Sequence, residues 1–212
     1  MNYLLNRIVL ALVGFAIIGF SIALLRLVEL GIDPFGAMNL GLSAITGMSF
    51  GTLLLISNVP LFILMFVKKR ELIGVGTVIG MFGVGYIIDF FYLLLSGVVD
   101  ATSFSLMIRV LLLVIALVVL AIGASSYMTA NIGMVPYDAF GIVIEELTHK
   151  RVSFKWARIG QDFFCAVVAF VLGATIGIAT LLTVVCIGPL VSFFRGKFDT
   201  LINALHKREE QR

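Results

Sequence analysis

Six nearly uncharged runs divide this chain: Ile8–Val28, Thr52–Val67, Leu72–Leu95, Phe104–Ala130, Phe154–Leu172 and Ile178–Phe194. A backbone in hydrocarbon has to satisfy its own N–H and C=O groups, so runs of this kind predict helices and not strands. Thr52–Val67 is short for a crossing and is expected to be completed by flanking residues or to sit tilted against its neighbours. The predicted fold class is an all-α integral membrane protein with six transmembrane helices.

The runs fall into two sets that say similar things. Gly31-Ile32-Asp33-Pro34-Phe35 answers Gly133-Met134-Val135-Pro136-Tyr137 at an offset of 102, and Gly74-Val75-Gly76-Thr77 answers Gly177-Ile178-Ala179-Thr180 at an offset of 103. Gly85–Phe91 answers Gly188–Phe194 at the same offset of 103. With three crossings per copy the second copy enters from the opposite face, which is the inverted repeat of many secondary transporters. The expected organisation is one membrane domain over residues 1–212, with repeat one at about 8–96, repeat two at about 104–198 and a cytoplasmic tail at 199–212.

Between the first and second runs of each copy lies a polar, broken stretch, Gly31–Gly51 and Gly133–Ser153. Each opens with Gly-x-x-Pro, where proline fixes φ and starts a helix at its first turn. These stretches predict half-length helices at Pro34–Thr46 and Pro136–Thr148, either re-entrant or lying in the interface. Glu145, Glu146, His149 and Lys150 give the second a solvated end, which also suits an amphipathic brace on the bundle surface. The first has no charge between Phe35 and Ser49 and is expected to be buried.

Composition agrees with the pattern: 61% of residues are hydrophobic and only 13% charged, against about 25% charged in soluble domains. In 212 residues, six helices of about 20 residues leave no room for a separate soluble domain. The first run continues to Leu25 with no small-residue cleavage site after it, so it is expected to remain in the mature protein. Thirteen of the fifteen basic residues fall on one side of a six-span arrangement with both termini cytoplasmic; only Arg26 and Arg109 fall toward the other. That meets the positive-inside rule and explains the formal charge of +3 as a topology signal in a plasma-membrane protein, without a nucleic-acid partner. Cys165 and Cys186 stand apart inside apolar runs and read as small buried side chains.

Gly31–Phe35, Ser49-Phe50-Gly51-Thr52 with Asn58 after it, and Asn131-Ile132-Gly133-x-x-Pro136-Tyr137-Asp138 together resemble the YczE/YitT group of bacterial multi-span membrane proteins. Gly177–Thr180 and Gly188-Pro189 add to the resemblance, which runs from Met1 to about Phe198. Val135 departs from the acid of the first copy, and Ala179 from an expected second glycine. The resemblance implies a six-span plasma-membrane protein and supplies no catalytic residue.

Acids within apolar runs are the sharpest candidates for chemistry, because a carboxylate at the bilayer centre costs about 2.5–3.5 kcal/mol even on insertion scales. Asp162 and Asp89 are the candidates for proton or ion coupling. The competing readings are an Asp162–Arg158 pair at i, i+4 and an interfacial position for Asp89. Asp33 precedes Pro34 as an expected N-cap, and Asp138 follows Pro136 in a first turn where negative charge favours the helix dipole. A substrate site at the repeat interface would draw on Asn39, Asn58 and Thr77 from one half and Asn131, Gln161, Asp162 and Thr180 from the other. The same Asn and Thr side chains could simply bond to neighbouring helices. The glycines of the third run suit close helix approach.

His149 and His206 both lie in predicted cytoplasmic segments, so neither a nucleophile–base pair nor a metal site assembles, and no cofactor or enzymatic activity is expected. The expected partners are the lipid bilayer and a small polar solute. A bundle of 23.0 kDa has limited interior, which leaves a homodimer open to it. The favoured function is a small secondary transporter. The alternatives are a substrate-binding membrane subunit of a larger importer, and a membrane regulator or assembly protein with no solute pathway.

Overall fold

The computed structural model describes residues 3–99, 103–174 and 176–210; Arg212 of the expected basic tail lies outside them. The described chain is helical: α1 (Tyr3–Val28), α2 (Pro34–Thr46), α3 (Phe50–Lys68), α4 (Val75–Ser96), α5 (Leu106–Ala130), α6 (Pro136–Leu147), α7 (Phe154–Val171) and α8 (Ile178–Glu210). A 3-10 turn at Arg70–Leu72 delays α4 to Val75, later than the apolar run alone suggests. The last helix, α8, continues through Pro189 to Glu210, beyond its apolar part, which ends at Phe198.

Five of these helices are long and apolar enough to cross a membrane: Leu4–Val28, Phe50–Lys68, Val75–Ser96, Leu106–Ala130 and Ile178–Phe198. The expected sixth, α7, has 18 residues and carries Lys155, Arg158 and Asp162, too much charge to qualify by composition. Its Arg158, Gln161 and Asp162 instead find polar partners on α6.

Local chemistry sets the ends of the half-length helices. Asp33 caps α2 by accepting the Gly36 N–H at 2.8 Å, Pro34 supplies the first turn, and Gly47 closes the helix at φ 71°. Ser49 then caps α3 by accepting the Thr52 N–H at 3.2 Å. Asn131 ends α5 in the left-handed region at φ 48°, a conformation that asparagine tolerates better than most residues. Pro136 opens α6 with no side-chain cap from Val135.

The central pair is α1 against α5, running antiparallel. Ser126 Oγ donates to the Leu10 carbonyl at 3.1 Å, Ser21 Oγ donates to the Ala116 carbonyl, and Arg109 Nε donates to the Val28 carbonyl at 2.8 Å. At the crossing, Gly14 and Gly123 let the backbones touch: a Cβ on Gly14 would lie 2.8 Å from the Gly123 oxygen. Small residues at such a contact are what permit tight packing between helices in lipid. Phe15 and Tyr127 stack beside it, centroids 4.9 Å apart.

Several contacts come in pairs separated by the sequence offset. Gly76 N–H donates to the Ile132 carbonyl at 2.8 Å, and Ala179 N–H donates to the Leu30 carbonyl at 3.0 Å. Gly133 (φ 117°) lies so close to the start of α4 that a Cβ there would stand 2.6 Å from Thr77 Oγ1. Gly31 (φ 95°) faces the start of α8, its Cβ position 2.8 Å from Thr180 Oγ1. Likewise α2 packs on α7 while α6 packs on α3.

Candidate functional site

The two half-length helices begin inside the bundle and meet there. Phe35, second residue of α2, stacks on Tyr137, second residue of α6, with centroids 4.1 Å apart and planes 15° from parallel. Both residues are buried. Their helices are therefore not surface braces at these ends, although α6 keeps an exposed end at Glu146 and Leu147. Asn58, eight residues into α3, and Gln161, seven into α7, reach the same point from either side, each about 10–12 Å along its helix. Asn58 Oδ1 accepts the Tyr137 N–H at 3.2 Å, and Gln161 Nε2 donates to the Tyr137 carbonyl at 3.2 Å. The backbone of one half-helix is thus held by side chains from both of the longer helices beside it.

Around this junction lies a network of charges. Arg158 Nη1 donates to Asp138 Oδ1 at 3.0 Å, and its Nε lies 3.4 Å from Asp162 Oδ1. The guanidinium also sits over the Tyr137 ring, 4.5 Å from its centroid. The Tyr127 hydroxyl donates to Asp138 Oδ2 and the Tyr137 hydroxyl to Asp162 Oδ1. Each carboxylate therefore has a cation and a phenol as partners, which is how buried charge is made tolerable. Arginine suits this position because its planar fork bonds two acids while stacking on an aromatic face.

The structure brings some expected site residues together and separates others. Asn39, Asn58, Gln161 and Asp162 surround the junction with Asp33, Pro34, Pro136 and Asp138. Asn39 is fully buried, its Nδ2 donating to the Phe35 carbonyl at 2.8 Å and its Oδ1 accepting from Ser57 Oγ at 2.7 Å. Thr77 and Thr180 are buried elsewhere, at the starts of α4 and α8, where their hydroxyls accept the N–H of Gly74 at 3.1 Å and of Gly177 at 3.4 Å. Asn131 is exposed at the end of α5, where its left-handed backbone closes the helix, and it does not line the junction.

Asp89 is also apart from the junction. Its Oδ1 accepts from Arg26 Nη1 at 2.9 Å and its Oδ2 from the Gly51 N–H at 2.7 Å, tying α1, α3 and α4 together. Arg26 lies between the Phe50 and Tyr92 rings, 4.6 and 4.0 Å from their centroids. No spacing in the sequence pairs Arg26 with Asp89 or marks Tyr127, and Tyr137 stands there only as a repeat position without a chemical role. The available signal was that Arg26 and Asp89 are charges set in or beside apolar runs, each needing a partner. A cleft lined by Lys69, Glu145, Glu146, His149 and Lys150 lies at the solvated end of α6, away from the junction.

Among the described residues no group of three or more His, Cys, Asp and Glu side chains is arranged to hold a metal ion. The arrangement offers buried hydrogen-bond acceptors, two phenols and an arginine, a set suited to binding a polar molecule or moving a proton.

Comparison with known proteins adds the family. The chain is 25% identical over 191 residues to the uncharacterized membrane protein YczE of Bacillus subtilis, covering 90% of this chain and 86% of that protein. It is 28% identical over 182 residues to the uncharacterized protein YyaS of the same organism, covering 84% and 87% of the two chains. An uncharacterized protein of Haemophilus influenzae is 25% identical over 190 residues, covering 89% and 83%. No solved structure matches the chain. Residues 5–196 match the family model described as a family of unknown function, DUF6198, and the chain, a helical membrane protein similar to YczE, belongs to that family.

Proposed function

We propose that this protein is a small secondary transporter of the plasma membrane, built as six spans in two inverted three-helix halves with both termini cytoplasmic. A polar solute would pass through the junction of α2, α3, α6 and α7. The reciprocal contacts support the inverted arrangement. Gly76–Ile132 maps onto Ala179–Leu30, and α2 on α7 maps onto α6 on α3, as self-complementary surfaces related by a two-fold axis require. Phe35 and Tyr137, equivalent positions of the two copies, stack on each other, as residues beside such an axis would.

The single observation that carries the reading is this meeting of two half-helix starts beside a buried polar network. Half-helices that begin at the midplane are the element from which secondary transporters build substrate sites. The charge on α7 fits a sixth crossing under this reading, because Arg158 and Asp162 turn toward α6 and away from lipid.

Two measurements test it. Of single cysteines at Thr46 and Arg151, in a background lacking Cys165 and Cys186, the first is expected to react with an impermeant maleimide in intact cells and the second only after permeabilisation; the same accessibility for both removes the inverted arrangement. A metabolite that raises the thermal stability of the purified protein should then show counterflow in proteoliposomes that Arg158→Met abolishes. Counterflow unchanged in that variant would remove the junction as the pathway.

A further inference from the structure

Two buried acceptor oxygens at the junction have no donor. Asp33 Oδ2 takes the Gly36 N–H, while Asp33 Oδ1 is shielded from solvent and makes no hydrogen bond among the described residues. Gln161 Nε2 donates to the Tyr137 carbonyl, while Gln161 Oε1 is equally shielded and equally without a donor. Gln161 is only 8% exposed. A buried acceptor left unmatched is costly, and each such group in a folded protein calls for an occupant.

The two oxygens belong to one locality. Along the contact of α2 with α7, Gly41 meets Leu172, and Phe35 shares an apolar cluster with Cys165. Carried two residues back from Phe35, the same register sets Asp33 opposite the turn of α7 that holds Asp162, with Gln161 next to it in the chain. Asp33 accordingly lies within electrostatic reach of Asp162 and Arg158, and Cys165 within reach of Asp33.

The charge balance identifies the kind of occupant. Among the described residues the cation shown beside Asp33, Asp138 and Asp162 is Arg158, which is already bonded to Asp138 and close to Asp162. Among the described residues no cation forms a salt bridge with Asp33. The excess is negative and the open positions are acceptors, so an anion is repelled. Chemistry that supplies one positive charge and one or more donor directions is attracted.

We propose that Asp33 and Gln161 hold a single positive charge at the junction, carried by a proton or by an alkali-metal ion. A proton taken from water onto Asp33 Oδ1 makes that oxygen a donor and leaves Gln161 Oε1 as an acceptor for it; release returns the proton to water and restores the carboxylate. An alkali ion would instead be coordinated by both oxygens. The site deepens the transporter reading by naming what couples to solute movement. It also moves that role from Asp162 and Asp89, whose carboxylates are engaged by Arg158 with Tyr137 and by Arg26, to Asp33.

The ionisable groups within electrostatic reach of Asp33 are Arg158, Asp162 and Cys165 on α7; behind them Tyr137 and Asp138 on α6 and Tyr127 on α5 complete the Arg158–Asp162 network. The stretches Pro34–Thr46 and Phe50–Val67 add none, and Ile178–Phe194 adds only Cys186. Asp33→Asn is the discriminating variant, because asparagine keeps the N-cap of α2 and removes the titrating charge.

The test is thermal unfolding of the purified full chain in detergent, in sodium, potassium or N-methylglucamine chloride at equal ionic strength and over a range of pH. With an alkali-ion site, sodium or potassium raises the wild-type melting temperature by about 2–4 °C over N-methylglucamine once the ion exceeds its dissociation constant roughly five-fold, and Asp33→Asn loses that rise. With a proton site the three salts are equivalent, wild-type stability rises as pH falls, and Asp33→Asn flattens that dependence. Wild type and Asp33→Asn with the same salt and pH responses would overturn the proposal and leave water as the occupant. Should Asp33→Asn fail to fold, Gln161→Met carries the same comparison. The assay requires no transport: cation binding without any solute counterflow retires the transporter reading alone, whereas counterflow in a protein indifferent to salt and pH retires the cation site alone.

Discussion

Arg158→Met is the perturbation whose magnitude the structure defines best. The guanidinium is 3.0 Å from Asp138 and 3.4 Å from Asp162, and the three side chains are 26%, 21% and 10% exposed. Methionine preserves much of the stem and its packing on the Tyr137 ring, so the change is mainly the loss of charge. Removing one partner of a buried ion pair costs about 3–5 kcal/mol because the other is left without compensation. Here two carboxylates are left, but each retains a phenol donor, Tyr127 for Asp138 and Tyr137 for Asp162. The retained donors place the expected loss near the lower bound, about 3 kcal/mol. Adding Asp138→Asn removes one of the two stranded charges, so the double variant should be at least about 1 kcal/mol more stable than the sum of the single losses predicts. The chain has one tryptophan, Trp156, two residues from Arg158 and 66% exposed. Its fluorescence during titration from mild detergent into dodecyl sulfate is the assay. A loss below about 1 kcal/mol for Arg158→Met, or strict additivity with Asp138→Asn, would show that the network does not hold the junction together.

Four further outcomes follow from the structure. Gly133→Ala and Gly31→Ala force a Cβ to within 2.6 and 2.8 Å of the opposing threonine hydroxyls at φ 117° and 95°; each should cost at least about 1–3 kcal/mol in the same titration. Gly83→Ala, where a Cβ meets nothing within 4 Å, should be neutral or stabilising by up to about 1 kcal/mol. Tyr137→Phe keeps the stack on Phe35 but removes the hydroxyl bonded to Asp162, at an expected cost of about 1.5–3 kcal/mol, and equal stability would place that hydroxyl outside the network. Cys165 is 4% exposed and should resist alkylation by N-ethylmaleimide until the protein is unfolded in dodecyl sulfate, as read by intact mass and peptide mapping; rapid labelling in mild detergent would contradict the packing of α2 on α7.

The sequence discloses what local chemistry decides. Proline and an acidic cap mark the start of α2, and a left-handed glycine marks its end, all within a few residues, so the half-helix is legible without tertiary information. The same holds for the pair of glycine-rich starts at Gly74 and Gly177, although what they touch is not legible: Gly74 meets Gly133, and Gly177 meets Gly31, across the chain. Asn131 was open to misreading because a polar residue closing an apolar run resembles one inside it, yet the neighbouring Gly133 and the left-handed preference of asparagine were signs of a helix terminus. Arg26 and Asp89 lie 63 residues apart, a separation no spacing rule connects.

The charges of α7 show why composition and fold part company in this chain. The run Phe154–Leu172 reads as a span from its apolar residues, yet Lys155, Arg158 and Asp162 keep α7 from qualifying by composition, because an unpaired charge in hydrocarbon is prohibitive. In the fold Arg158 reaches both its own turn and the first turn of α6, and α6 can present Asp138 there only because Pro136 starts that helix inside the bundle. The half-helix thus supplies the counter-charge as well as a candidate solute site, and the two roles share the same backbone. Lengthening the loop between α5 and α6 by a few flexible residues after Met134 should therefore weaken the Arg158 network and any ligand binding together, both measured on one purified variant by dodecyl sulfate titration and thermal shift. Loss of one with full retention of the other would separate the structural role of α6 from its role in binding.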